Sequence, residues 1–210
     1  MRRNSIMETR DRILQESWHL FFAYGIKTIT MDDIARHLSI SKKTLYEHFE
    51  DKDALVTAVF KAFIEKIQQE VTAFKTTCKD AIEELIKGSE YMGAVMKNVN
   101  PATFVDLRKH YPNAWTLFHE NHKGFMINSI RENLERGIAQ GLYRQGLDLN
   151  IVALSRLFEI EMCMDPEKFP QRQFNIDKVQ LTSMDIFMHG ISTLKGHKLI
   201  NKYKKIYEDE

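Results

Sequence analysis

The chain has 210 residues, 43% of them hydrophobic and 28% charged, which suits a folded protein of one or two compact domains with a sizeable core. Lys and Arg number 30 against 29 Asp and Glu, and a net charge of +1 excludes a uniformly basic nucleic-acid coat, so any nucleic acid must be met by local clusters. Four prolines and nine glycines are too few for the turns of an all-β fold, no apolar run is long enough to span a bilayer, and the start MRRNSIMETRDR lacks the apolar core of a signal peptide, so no membrane partner and a cytoplasmic location are expected.

Arg2 and Arg3 form a short basic arm, either a frayed terminus or a reach towards a phosphate or minor groove. The first helix is expected from about Met7 to Tyr24. Ile13, Ser17, Trp18, Phe21 and Phe22 follow helical spacing, and Gly25 closes the helix in a left-handed conformation. Thr30 then reads as the N-cap of a second helix, with Asp33 at the capping-box position and Ile34, Ala35 and Leu38 on one apolar stripe. Ser39, Ile40 and Ser41 break it. Ser41 caps a third helix from Lys42 to Phe49, whose inward face is Leu45 and Phe49. Its outward side offers Lys42, Lys43, Thr44, Tyr46 and His48, a row of donors on a helix short enough for a major groove.

These residues carry a resemblance. Ser41-x-x-Thr44-Leu45-Tyr46-x-His48-Phe49-x-x-Lys52-x-x-Leu55 is similar to the DNA-binding signature of TetR-type transcriptional regulators, over about Thr9 to Phe60. The resemblance implies an all-α homodimer: an N-terminal three-helix helix-turn-helix domain, then a helical domain for ligand binding and dimerisation. The expected boundary is residues 1–52 and 53–210. It also implies that Thr30, Lys42, Lys43, Thr44, Tyr46, His48 and Lys52 meet double-stranded operator DNA. Lys43 suits a guanine edge, whereas Tyr46 and Lys52 suit phosphates. Lys52 stands at a helix N-terminus, where free N–H groups also favour a phosphate, though a surface lysine explains it as well.

A long fourth helix is expected through Leu55, Val59, Phe60, Phe63, Ile67, Val71 and Phe74, a lever leaving the DNA-binding unit. A break near Thr76–Asp80 precedes a helix to about Val99. Asn100-Pro101 marks a new start and Pro112 another. Phe104, Leu107 and Tyr111 share one side of the short helix between them. From Pro112 to about Gln140 runs a helix with two apolar stripes, Trp115, Phe118, Phe125, Met126 and Ile127, Ile130, Leu134, Ile138, with His122 and Ser129 among them. Phe104, Leu107, Tyr111, Trp115, Phe118, His122 and Phe125 either line an apolar effector cavity or pack as plain core; Tyr111 and His122 would supply its hydrogen bonds.

Gly141 and Gly146 bound a turn before two last helices, about Asn150–Met164 and Asp177–Leu194. By the resemblance these pair with their twins as a four-helix bundle, through Leu154, Phe158, Phe187, Gly190 and Ile191; otherwise they close the monomer core. The lysine-rich stretch to Glu208-Asp209-Glu210 reads as a solvated end. Cys78 and Cys163 lack metal or disulfide spacing, and His119-x-x-His122 lacks a third ligand, so no metal is expected. No phosphate loop, nucleophile elbow or cofactor motif is present, which argues against an enzyme. The expected function is a sequence-specific regulator, usually a repressor, released by a small-molecule effector. The alternatives are a ligand-independent DNA-binding architectural or interaction protein and, behind it, an enzyme using the aromatic C-terminal cavity and His122.

Overall fold

The computed structural model describes residues 2–205 except 98, 166 and 171; the side chains of residues 2–7 and 164 and the acidic end Glu208-Asp209-Glu210 lie outside the described residues, as does the basic arm's pair of guanidinium groups. Ten helices are described: α1 (Arg2–Tyr24), α2 (Met31–Leu38), α3 (Lys42–His48), α4 (Lys52–Thr77), α5 (Ala81–Met96), α6 (Ala102–His110), α7 (Pro112–Ala139), α8 (Leu149–Met164), α9 (Ile176–Ile191) and α10 (Leu194–Lys204). The fold is all-α, as the turn-poor composition and helical periodicity require.

By packing, the chain divides into two units. The first comprises residues 1–67 and 98–122, the second residues 68–97 and 123–210. In the first, the apolar stripes of α1 to α4 meet in one core. Ile13, Phe21, Ile34, Leu38, Leu45, Leu55 and Phe60 are each no more than 2% exposed. α6 joins this unit: Leu107 is fully buried, and α6 packs on α1. In the second unit α5, α8 and α10 pack on α9, and the C-terminal part of α7 joins the same core, with Ile82, Leu134, Tyr143, Ala153, Met188 and Ile200 at the centre.

The structure differs from the sequence reading at two places. α1 begins at Arg2, five residues before the expected start, and runs through Asn4 and Ser5, residue types that could have capped a later start. At the other end α9 stops at Ile191, not Leu194, and α10 follows where a solvated end was expected. The 141–146 turn lies against the chain there: Thr193 N donates to Leu142 O at 2.9 Å, and Tyr143 forms an isolated bridge with Ser192. Those bonds hold Ser192 and Thr193 extended, and the Thr193 hydroxyl caps α10 by accepting from Gly196 N. Leu199 and Ile200, four and three residues before Tyr203, lie hidden among lysines: Ile200 is fully buried, and Tyr203 donates to Asp80 Oδ2 at 2.6 Å.

Candidate nucleic-acid interface

The helix pair α2–α3 is fixed by its own side chains. Thr30 Oγ1 accepts from Asp33 N at 3.1 Å, while Thr30 N donates to Asp33 Oδ2 at 3.0 Å, a complete capping box. The Thr30 hydroxyl donates to the same carboxylate, and this bond holds the Asp33 carboxyl below its ordinary pKa. Ser39 takes a left-handed φ of 55° and ends α2, its N–H reaching Arg36 O. Ser41 Oγ then accepts from Thr44 N at 3.0 Å and caps α3. Beneath, Leu45 is fully buried and Phe49 is 4% exposed, with the Arg10 guanidinium 5.2 Å from the Phe49 ring centroid. The Arg12 side chain donates to Leu38 O, holding α1 to the end of α2.

What α3 leaves outside is a polar row. Lys42, Lys43 and Tyr46 are exposed, and Thr44 and His48 half-buried. Lys43 and Tyr46 therefore stand free to meet a partner, whereas Lys42 pairs with Asp32 at the start of α2. Lys52 is turned to a different task. Its ammonium donates to Ile26 O at 2.7 Å and lies 5.9 Å from the Tyr111 ring centroid, and burial lowers its pKa against the opposing pull of Asp106 and Asp33. It ties the α1–α2 connector to α4, and any phosphate would have to share it.

The remaining contacts at this corner were not visible in the sequence. Thr103 donates to Phe21 O at 2.8 Å, Asn100 N to Phe22 O at 2.6 Å, and Lys27 N to Asp106 Oδ2 at 2.8 Å. α6 thus satisfies the free carbonyls at the end of α1, which a helix terminus always leaves. Nothing in the spacing of Asn100, Thr103 and Asp106 distinguishes them from surface polar residues; their partners lie about eighty positions away in the chain.

The aromatic residues of α6 and α7 form a connected cluster. Phe104 and Phe118 have ring centroids 5.6 Å apart, Trp115 and Phe118 6.2 Å, and Phe118 and His122 stack at 5.3 Å with 7° between planes. Phe118 also meets Phe60 of α4 at 5.9 Å, and Phe104 meets Phe22 of α1 at 6.0 Å. Burial, then the nearby His119, pushes the His122 pKa down to about 4, so this imidazole is neutral at pH 7. Leu107 is enclosed, Tyr111 is half-buried beside Lys52, and Phe125 is half-buried further along α7 in the second unit. Among the described residues no three His, Cys, Asp or Glu side chains are grouped to hold a metal, and no helix is long and apolar enough to cross a membrane.

On α8 and α9, Leu154 is 38% exposed and Phe158 51%, with Ile151 and Met162 extending the same row. Phe187 is half-buried and Gly190 exposed, with open space where a Cβ would stand. Ile191 is 5% exposed within one chain, packed in the second unit's core, and also lines the cleft between α8 and α9.

Comparisons with known proteins follow the same line. Residues 13–59 match the family described as bacterial regulatory proteins, tetR family. The chain is similar to the uncharacterized HTH-type transcriptional regulator YvaF of Bacillus subtilis, 26% identical over 86% of this chain and 94% of that one. It is 24% identical to the HTH-type transcriptional repressor KstR2 of Mycolicibacterium smegmatis, over 68% of this chain and 71% of that one. A transcriptional regulator from Saccharomonospora viridis, crystallised in complex with choline, superposes with a TM-score of 0.72 at 20% identity, over 89% of this chain and 99% of that one. At that identity the superposition speaks for the fold.

Proposed function

This chain is a DNA-binding transcriptional regulator of the TetR family, and we propose that it acts as a cytoplasmic homodimeric repressor released from its operator by a small, largely apolar molecule. In this reading α3 enters a major groove. Lys43 reads a base edge, Lys42, Thr44 and His48 fit the helix against the groove, and Thr30, Tyr46 and Lys52 meet phosphates. Two subunits joined through Leu154, Phe158, Phe187 and Gly190 present two recognition helices to half-sites about one turn, ~34 Å, apart. The effector lies along Phe104, Tyr111, Trp115, Phe118 and His122 of the first unit, where Leu107 is buried.

The observation that carries the release is the packing of α6. The helix that bears Phe104 and Tyr111 is hydrogen-bonded to the end of α1 and to the α1–α2 connector, in the same unit as the recognition helix. A molecule that favours a shifted α6 therefore favours a shifted α2–α3 pair, and weakens DNA binding by as much as it distinguishes the two arrangements. The test is selection of bound duplexes from genomic fragments, then displacement of a selected duplex by flat aromatic, acyl and quaternary-ammonium probes. The last class follows from the choline of the S. viridis regulator and from the attraction of cations to aromatic faces. Release by one class, with its half-point moved by Trp115→Ala, is expected. Tight, salt-dependent DNA binding that no probe class relieves would favour the ligand-free architectural role.

A further inference from the structure

A groove of about 370 Å³ lies between α8 and α9. Its lining is mostly apolar, with Ile151, Val152, Phe187 and Ile191, yet it contains a complete ion pair. Arg156 is only 7% exposed. Its Nη1 donates to Glu159 Oε2 at 2.9 Å and to Ser183 Oγ at 3.0 Å, and its Nη2 lies 3.3 Å from Met184 Sδ. Ser183 donates in turn to Glu159 Oε1 at 2.5 Å, and the guanidinium carbon sits 4.9 Å from the Phe187 ring centroid.

For stability alone this is a poor arrangement. Taking Arg156 out of water, with Glu159 26% exposed beside it, costs much of what their attraction returns, and apolar residues of similar size often do as well or better. The best-attested use of such a group in an apolar face is to fix how a partner packs. The apolar row of α8 needs that help. Ile151, Leu154, Phe158 and Met162 repeat at three- and four-residue intervals, so a partner helix displaced by one turn, ~5.4 Å, would still bury apolar surface. A buried guanidinium with its half-buried carboxylate occupies one position only, and a slipped partner would lay its ridges over it.

The occupant that suits this face is a second copy of the chain. The pair is neutralised within one subunit, so it asks for no opposite charge from outside. An exposed knob, Phe158, and an open hole beside Gly190 lie on the same helix pair, which is what a self-complementary twofold contact needs. Resting on the dimer proposed above, the geometry points to Arg156 and Glu159 as positioning residues that fix the register of the homodimer, and through it the half-site spacing the dimer accepts.

The full chain is to be measured in two ways: dimer dissociation by sedimentation equilibrium, and selection from a synthetic duplex pool with two half-sites at varied spacing. Arg156→Met leaves Glu159 without its cation and should weaken the dimer at least about tenfold. Arg156→Met with Glu159→Met should return dissociation to within about threefold of the parent, or tighter, yet select several spacings where the parent selects one. Ser183→Ala, which keeps both charges and loses only the hydroxyl between them, should broaden the spacing less. If the double variant and Ser183→Ala both keep the parent's single spacing, or the parent itself accepts several, the register role is wrong. Leu154→Glu separates the two levels. Monomers from it, with unchanged spacing in the double variant, overturn the register role alone; an unchanged dimer overturns the α8–α9 interface, and this inference with it.

Discussion

His122 is a residue whose shifted titration changes its charge between pH 4 and 7. Stacked on Phe118 and half-buried, it holds a pKa of about 4 because burial penalises its charged form. The folded value lies below the unfolded one, so between pH 4 and 6.5 the unfolded chain binds a proton that the fold refuses. Stability from this group is complete above pH 6.5 and is lost as pH falls towards 4, by at most about 3 kcal/mol. His122→Phe keeps a stacked ring and removes the titration, so urea unfolding should become flatter with pH across that window. An unchanged slope would assign the acid sensitivity elsewhere. Gly137 makes a second residue-scale case, one of space. A Cβ there would stand 1.9 Å from Cδ2 of Tyr143, a fully enclosed ring whose hydroxyl donates to Asn133. Gly137→Ala should cost about 1–3 kcal/mol by displacing that ring, read as a drop in melting temperature. No spacing rule marks Gly137 as different from the open Gly124, seen only once Tyr143 folds back on α7.

Among the elements, the corner between α4 and α5 is held by one face of α7. Arg136 donates to Lys75 O at 3.1 Å, to Cys78 O at 2.7 Å and to Glu84 Oε2 at 2.8 Å. Asn133 donates to Ala81 O, and Gln140 accepts from Ala81 N, both at 3.0 Å. The last carbonyls of α4 and the first N–H groups of α5 thus find partners on α7. Arg136→Met leaves a buried Glu84 carboxylate and two carbonyls unpaired, and should lower stability by about 3–5 kcal/mol. Adding Glu84→Met should recover a large part of it, as measured by urea midpoints; no recovery would mean that the carbonyls, not the ion pair, dominate. The α2 cap is a smaller effect with a more direct bearing on DNA. Thr30→Ala removes the hydroxyl from the capping box and should cost about 1 kcal/mol in stability. If Thr30 also meets a phosphate, the same variant lowers DNA affinity without changing sequence preference.

At the scale of the whole molecule the net charge of +1 gives no general pull towards DNA. Affinity must come from the α3 face and from joining two such faces. Phe158→Glu places a charge in the proposed interface and should give monomers. Such monomers should bind a duplex with two half-sites at least about a hundredfold more weakly, because the second contact no longer follows the first for free. Their affinity for a single half-site should stay as it was. A dimer that survives this substitution in sedimentation would place the interface on another surface.

The DNA-binding helices were readable in the chain because their determinants are local. The Thr30–Asp33 box, the Ser39 turn and the Ser41 cap each act within four residues, and Leu45 and Phe49 declare their inward face by spacing alone. Apolar periodicity likewise predicts α4, α7, α8 and α9. It cannot tell which apolar residue is enclosed by its own chain. Leu107 and Ile191 look like exposed candidates in sequence and are core in the fold, whereas Leu154 and Phe158, at the same kind of position, remain open. The tie from α6 to the end of α1, the Arg136 clamp and the Arg156–Ser183 contact escape notice for a related reason. Each is made of ordinary polar residues whose partners lie about 25 to 80 positions away. Helix starts and stops follow from short-range hydrogen bonding, which sequence spacing records. Who satisfies a buried carbonyl or a buried charge depends on which distant helix arrives there, and only the packed chain decides that.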